Sequence, residues 1–251
     1  MSIGIRRPEP KNLFVEAVIV CHDYWDFLTE TLPHNLAVLD NVVVVTSPRD
    51  EKTRQLCREW SVDCFVTDAV ADDGAAFNKS AAINIGFARL KHGGFILQLD
   101  ADIVLPPQFR QILHVFKPSE SCIYGAQRYR VIGYNNWLAF EQDLLNNPIW
   151  QLKCLSVPPD RLSPGATLLH AERGYVPIGY FQLFHSKYLY SPYNFGYPEA
   201  RGTAEQEDVL FALQWPRDQR REIPGLAVFH LESSEAKMGA NWNGRTTPRF
   251  G

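Results

Sequence analysis

The feature that most constrains this chain is the alternation, over its first two-fifths, of short β-branched runs with stretches of helical periodicity. The runs are VEAVIVC (Val15 to Cys21), NVVVVTS (Asn41 to Ser47), CFVT (Cys64 to Thr67) and FILQLD (Phe95 to Asp100). Between them Trp25, Leu28, Leu32, Leu36 and Leu39 recur at intervals of three and four, a charged segment spans Asp50 to Trp60, and Ile83, Phe87 and Leu90 follow Asn78. Strands separated by helices are joined by crossovers and so pair in parallel, which predicts an α/β fold with a mostly parallel sheet flanked by helices. Pro33 lacks an N–H and crowds the preceding turn, so it must start, kink or divide the first helix.

Beyond Pro106 the pattern is less regular. It predicts a helix around Phe109 to Phe116, strands at CIYGAQRYRV, IGYFQLFHS and LAVFH, and a helix opened by a capping box at Thr203 to Gln206 and running through Trp215. At 251 residues one domain accounts for the whole chain, with a binding half at about 1–105 and a second half, with a polar tail, at 106–251. Composition is 45% hydrophobic and 21% charged, without an apolar run long enough to span a membrane. The opening MSIGIRRPEPKNLF places prolines and charges where a secretion signal needs apolar residues, so the expected location is cytoplasmic. Five widely spaced cysteines form no C-x-x-C pair and read as reduced core residues. A formal charge of -3 gives no global attraction to nucleic acid.

In an open α/β sheet, ligands bind beyond the carboxyl ends of the strands. Polar residues stand there: His22-Asp23, Thr46-Ser47, Thr67-Asp68, and Asp100-Ala101-Asp102. In QLDADIVLP, strand geometry continued through Asp102 would put both carboxylates on one face. Like charges so close repel, which favours a bound cation or a solvated turn. Oxygen ligands suit magnesium or manganese, and an added imidazole shifts the preference to manganese. His230, closing the strand LAVFH, is the candidate imidazole.

The stretch FNKSAAINIGFARLKHGGFILQLDADIVLP resembles the donor-binding half of family-2-like GT-A glycosyltransferases. It is also similar to the polypeptide N-acetylgalactosaminyltransferase and β-1,4-galactosyltransferase groups, where an N-K-[SAG]-x-A-x-N-x-G helix precedes the D-x-D strand. GYFQLF followed by TAEQEDVLFALQW resembles their acceptor-side motif. The resemblance implies a GT-A-type fold, a nucleotide-sugar donor that is UDP-linked, and a manganese or magnesium cofactor. It assigns Asp102, Asp100 and His230 to the metal, and Asp208, second of the Glu207-Asp208 pair, to the base of an inverting transfer. Asp100, Asp68, Lys79, Thr46 and Cys21 would contact the donor.

The second strand ends in VVTSPRDEKT where family-2 members carry a D-D-G-S type turn, and FGYPEARGTAEQED lacks the tryptophan-glycine-glycine run of the galactosyltransferases. The first departure leaves the base and ribose contacts at Thr46 and Ser47 open, and the second leaves the acceptor and sugar open. The aromatic stretch that includes Tyr180 and Tyr197 suits an acceptor face, and the tail carrying Lys237 and Arg245 is a candidate lid over the diphosphate. The acceptor is a carbohydrate or another hydroxyl compound; a hydroxymethylated DNA base is compatible with Arg217, Arg220 and Arg221 but is not indicated by charge. A sugar nucleotidyltransferase and a non-catalytic nucleotide-sugar-binding domain are the alternatives, the first opposed by CHDYWDF where a Gly-rich loop would stand.

Overall fold

Strand β1 (Val15–Val20) is buried along its whole length, and its side chains alternate between two cores. Val15, Ala17 and Ile19 face one core with Leu28, Leu32 and Leu56, whereas Val18 and Val20 face the other with Ile83 and Phe87. A strand buried on both faces belongs in the middle of a sheet covered by helices on both sides. The computed structural model describes residues 13–70, 78–146, 162–164, 168–170, 172–190, 192–198, 206–234 and 249–250. Thr203, Lys237 and Arg245, and with them the expected capping box and lid, lie outside these residues.

The first half follows the alternation: α1 (Trp25–Leu36), β2 (Asn41–Thr46), α2 (Glu51–Glu59), β3 (Asp63–Val66), α3 (Lys79–Phe87) and β4 (Phe95–Asp100). Pro33 lies inside α1. The order β3-β2-β1-β4 is parallel throughout. Asp50 caps α2 by accepting the Thr53 N–H at 3.0 Å, and Asn78 caps α3 by accepting that of Ala81 at 3.1 Å.

The second half supplies β5 (Ile103–Val104), α4 (Phe109–Phe116), β6 (Ile123–Ile132), α5 (Tyr134–Asn146), β7 (Leu162–Pro164), β8 (Leu168–His170), β9 (Gly174–Val176), β10 (Phe181–His185), α6 (Glu207–Ala212) and β11 (Arg220–Glu232). The sheet continues β4-β10-β6-β11-β5, with β7 on the side of β6 and β8-β9 as a separate pair. β10 runs antiparallel to β4 and β6, and β5 antiparallel to β11, so the sheet is parallel in its first half and mixed beyond. The change of sense comes from chain segments that return without a βαβ crossover, a feature that periodicity does not encode. Behind β6 and β11, α5 packs Trp137, Phe140 and Leu144 against Tyr129, Val131, Phe229 and Leu231. Among the described residues no helix is long and apolar enough to cross a membrane.

Candidate active site at the strand ends

Two features of the pairing build the site. Phe181 pairs with Leu99 and Gln182 with Gln98, so β10 runs alongside the end of β4, and the Asp100 N–H donates to the Tyr180 carbonyl at 3.3 Å. On the far side, His230 pairs with Ile103 and the Leu231 N–H donates to the Asp102 carbonyl at 2.9 Å. The D-x-D segment is thereby clasped between β10 and β11. β4 ends at Asp100 and a turn follows, so Asp100 and Asp102 do not share one strand face as the sequence suggested.

Asp100 turns to the first residue of α3: Lys79 Nζ lies 2.6 Å from its Oδ1, and Gln98 Nε2 donates to the same oxygen at 3.1 Å. Burial pushes the Asp100 carboxyl up, Lys79 opposes that, and Asp102 adds to it. For Lys79 burial disfavours the charge, yet Asp100, Asp208 and Glu207 outweigh it and hold the ammonium above its ordinary value. The last two come from α6, so the structure joins the two motif blocks around one lysine.

A hydrogen-bond chain makes the same connection through neutral groups. The Tyr197 hydroxyl lies 3.3 Å from Gln98 Oε1 and also contacts Gln182 Oε1. Gln182 Nε2 in turn donates to the Asp208 carbonyl at 2.9 Å. The Asp208 carboxylate is fixed by backbone: the Gly179 N–H donates to Oδ2 at 2.5 Å and the Val209 N–H to Oδ1 at 2.7 Å. A Cβ on Gly179 would sit 3.0 Å from Asp208 Cβ and Oδ2, which explains a glycine ahead of the aromatic strand. Beside it Glu207 is buried, its Oε2 has no hydrogen-bond partner among the described residues, and burial pushes its carboxyl above the ordinary value against the opposing pull of Lys79.

Asp102 and His230 form the second lobe. His230 Nε2 lies 3.3 Å from Asp102 Oδ2, and its Nδ1 lies 3.1 Å from Glu232 Oε1. Burial works against charge on the ring, but Asp102 and Glu232 overcome it and raise its pKa to about 9. Glu232 was not expected from sequence, although an acid two residues beyond a strand histidine must share its face. The set of Asp100, Asp102 and His230 has the oxygen-plus-imidazole chemistry that suits manganese or magnesium. Each acid here already faces a protein cation. Among the described residues, the group of three whose donor atoms lie within 4.8 Å of one another is His22, Asp23 and Asp50. There Asp50 is engaged as the α2 cap and as acceptor for the Asp23 N–H at 2.9 Å, and His22 Nδ1 lies 3.0 Å from Ser47 Oγ.

Other expected residues fall as follows. Thr46, at the end of β2, is buried with Oγ1 unpartnered among the described residues, and Asp68 is exposed at the start of a short 3-10 turn. Cys21, expected among the donor contacts, is fully buried: its Sγ lies 3.2 Å from Thr53 Oγ1, and burial raises its thiol pKa strongly. The rings of Tyr180 and Tyr197, expected to offer acceptor faces, are also buried. Tyr197 stacks on Phe211 with centroids 4.3 Å apart, while Tyr180 lies under the Arg128 guanidinium at 4.6 Å and donates to the Ala126 carbonyl.

No protein-family model matches this chain, and no curated protein does. Among solved structures, it is similar to glucosyl-3-phosphoglycerate synthase from Mycobacterium tuberculosis in complex with Mn2+, uridine-diphosphate-glucose and phosphoglyceric acid. That match has a TM-score of 0.49 and 13% identity, and covers 87% of this chain and 71% of the other. A second similarity is to 4-diphosphocytidyl-2C-methyl-D-erythritolsynthase from Anaerococcus prevotii, with a TM-score of 0.45, 11% identity, and coverage of 92% and 95%.

Proposed function

We propose that this protein is a metal-dependent glycosyltransferase that moves a sugar from a nucleotide-sugar donor, UDP-linked, to an acceptor hydroxyl. The observation that carries the reading is the convergence of Lys79 and Asp100 with Glu207 and Asp208 beyond the carboxyl end of β4, where α/β sheets bind ligands. A lysine held charged beside carboxylates suits a donor diphosphate, and a backbone-fixed carboxylate suits removal of a proton from a hydroxyl. Asp102, Asp100 and His230 would hold manganese or magnesium, which when bound neutralises charge on the departing diphosphate. Lys79 binds the phosphates; Thr46 and Asp68, at neighbouring strand ends, meet the nucleoside. Asp208 accepts the acceptor's proton in an inverting transfer, with the buried Glu207 as the second carboxylate beside it.

The test is calorimetric binding of UDP with manganese and with EDTA, followed by a screen of UDP-sugars for turnover. Manganese-dependent binding that Asp102→Asn abolishes is expected, together with Asp208→Asn retaining donor binding while losing transfer. Equal affinity in EDTA and manganese would overturn the metal-dependent reading. Release of pyrophosphate from a nucleoside triphosphate and a sugar phosphate, without transfer, would identify a nucleotidyltransferase instead.

A further inference from the structure

His230 and Glu232 lie two residues apart on β11 and so project from the same face, while the parallel pairing of β11 with β6 sets Arg130 opposite His230. Arg130 grips Glu232 with two nitrogens: Nε donates to Oε1 at 2.7 Å and Nη2 donates to Oε2. The same Oε1 lies 3.1 Å from His230 Nδ1, and the far ring nitrogen, Nε2, lies 3.3 Å from Asp102. The alternate residues Phe229 and Leu231 face the apolar core instead. Four side chains are thus linked in sequence from Arg130 on β6 through Glu232 and His230 on β11 to Asp102 in the turn between β4 and β5.

A buried carboxylate held by a forked arginine is a costly way to fill space, and apolar residues of similar volume stabilise such positions as well or better. What the carboxylate adds is direction. The partner of one imidazole nitrogen fixes which face the other presents, and a two-point guanidinium grip fixes the carboxylate in turn. We propose that Glu232 is a positioning residue for the metal site: held by Arg130, it accepts the Nδ1–H of His230 and so aims Nε2 at the Asp102 side of the cleft. The proposal rests on the metal-dependent reading given above and adds Glu232 and Arg130 to it.

The experiment titrates manganese alone, without nucleotide, into the full chain, reading free ion by electron paramagnetic resonance. Wild type is compared with Asp102→Asn, Glu232→Gln and Arg130→Lys. In parallel, nitrogen-15 spectra of the metal-free proteins follow the Nδ1 proton of His230, assigned by its loss in His230→Gln. Glu232→Gln is expected to weaken manganese binding about ten- to a hundred-fold and to remove the hydrogen-bonded Nδ1 proton signal. Arg130→Lys keeps the charge and loses the two-point grip, so its loss is intermediate; it also serves if Glu232→Gln fails to fold. If Asp102→Asn weakens manganese binding but both Glu232→Gln and Arg130→Lys bind as wild type does, the positioning role is wrong and the metal reading stands. If Asp102→Asn binds manganese as tightly as wild type, the metal reading is wrong and the positioning role falls with it.

Discussion

The buried His230 and Glu232 pair makes the stability of this protein depend on pH in a calculable way. His230 ordinarily titrates at 6.5 and is raised to about 9 in the fold. Between those values the unfolded chain has lost the proton that the folded chain keeps, so stability falls as pH rises; below 6.5 the contribution is complete. Glu232, ordinarily at 4.5, is lowered to about 2 because the hydrogen bonds from His230 and Arg130 outweigh its burial. Its contribution is complete above 4.5 and lost as pH falls towards 2. Each shift corresponds to about 3 kcal/mol, and because both draw on the same contact the two figures do not add. Stability from this pair therefore peaks between pH 4.5 and 6.5. Urea unfolding in EDTA at a series of pH values from 5 to 10, on wild type and His230→Gln, isolates the histidine's share. Wild type should lose about 3 kcal/mol more than the variant on the alkaline side. An identical alkaline slope in both proteins would refute the assignment of that loss to His230.

Further outcomes follow from packing. Gly86→Ala would place a Cβ 2.4 Å from Val18 Cγ1, so overpacking between α3 and β1 should cost about 1–3 kcal/mol in denaturant unfolding. Asp50→Ala removes the α2 cap and should cost about 0.5–2 kcal/mol, read the same way. Gly179→Ala displaces the Asp208 carboxylate and should lower kcat more than donor affinity, measured by steady-state kinetics and calorimetry. Tyr197→Ala should act through stability, by about 3–5 kcal/mol, because its ring is core; a folded variant with only acceptor KM raised would restore it to the acceptor surface.

The strands and helices of the first half, and Asp100 at the end of β4, were legible because a β-branched run and a 3.6-residue period are local properties of a few consecutive residues. The site roles of Lys79, Asp100 and the Glu207-Asp208 pair came instead from the resemblance of their short motifs to those of GT-A glycosyltransferases. What periodicity could not supply is which strand lies beside which. The antiparallel insertion of β10 beside β4 brings Gly179 and Asp208 to the Lys79 and Asp100 pair, and the β5 to β11 pairing brings His230 to Asp102. Burial of Tyr180 and Tyr197 was not decided locally, since a tyrosine at a strand end has the same local signature whether its ring faces solvent or another layer, whereas Cys21 is buried as the cysteine reading expected. Glu232 shows the division most clearly: its place two residues after His230 is written in the sequence, but its partner Arg130 and the direction it gives the ring exist only once β6 and β11 lie side by side, because hydrogen bonds between strands are chosen by the whole sheet and not by either strand alone.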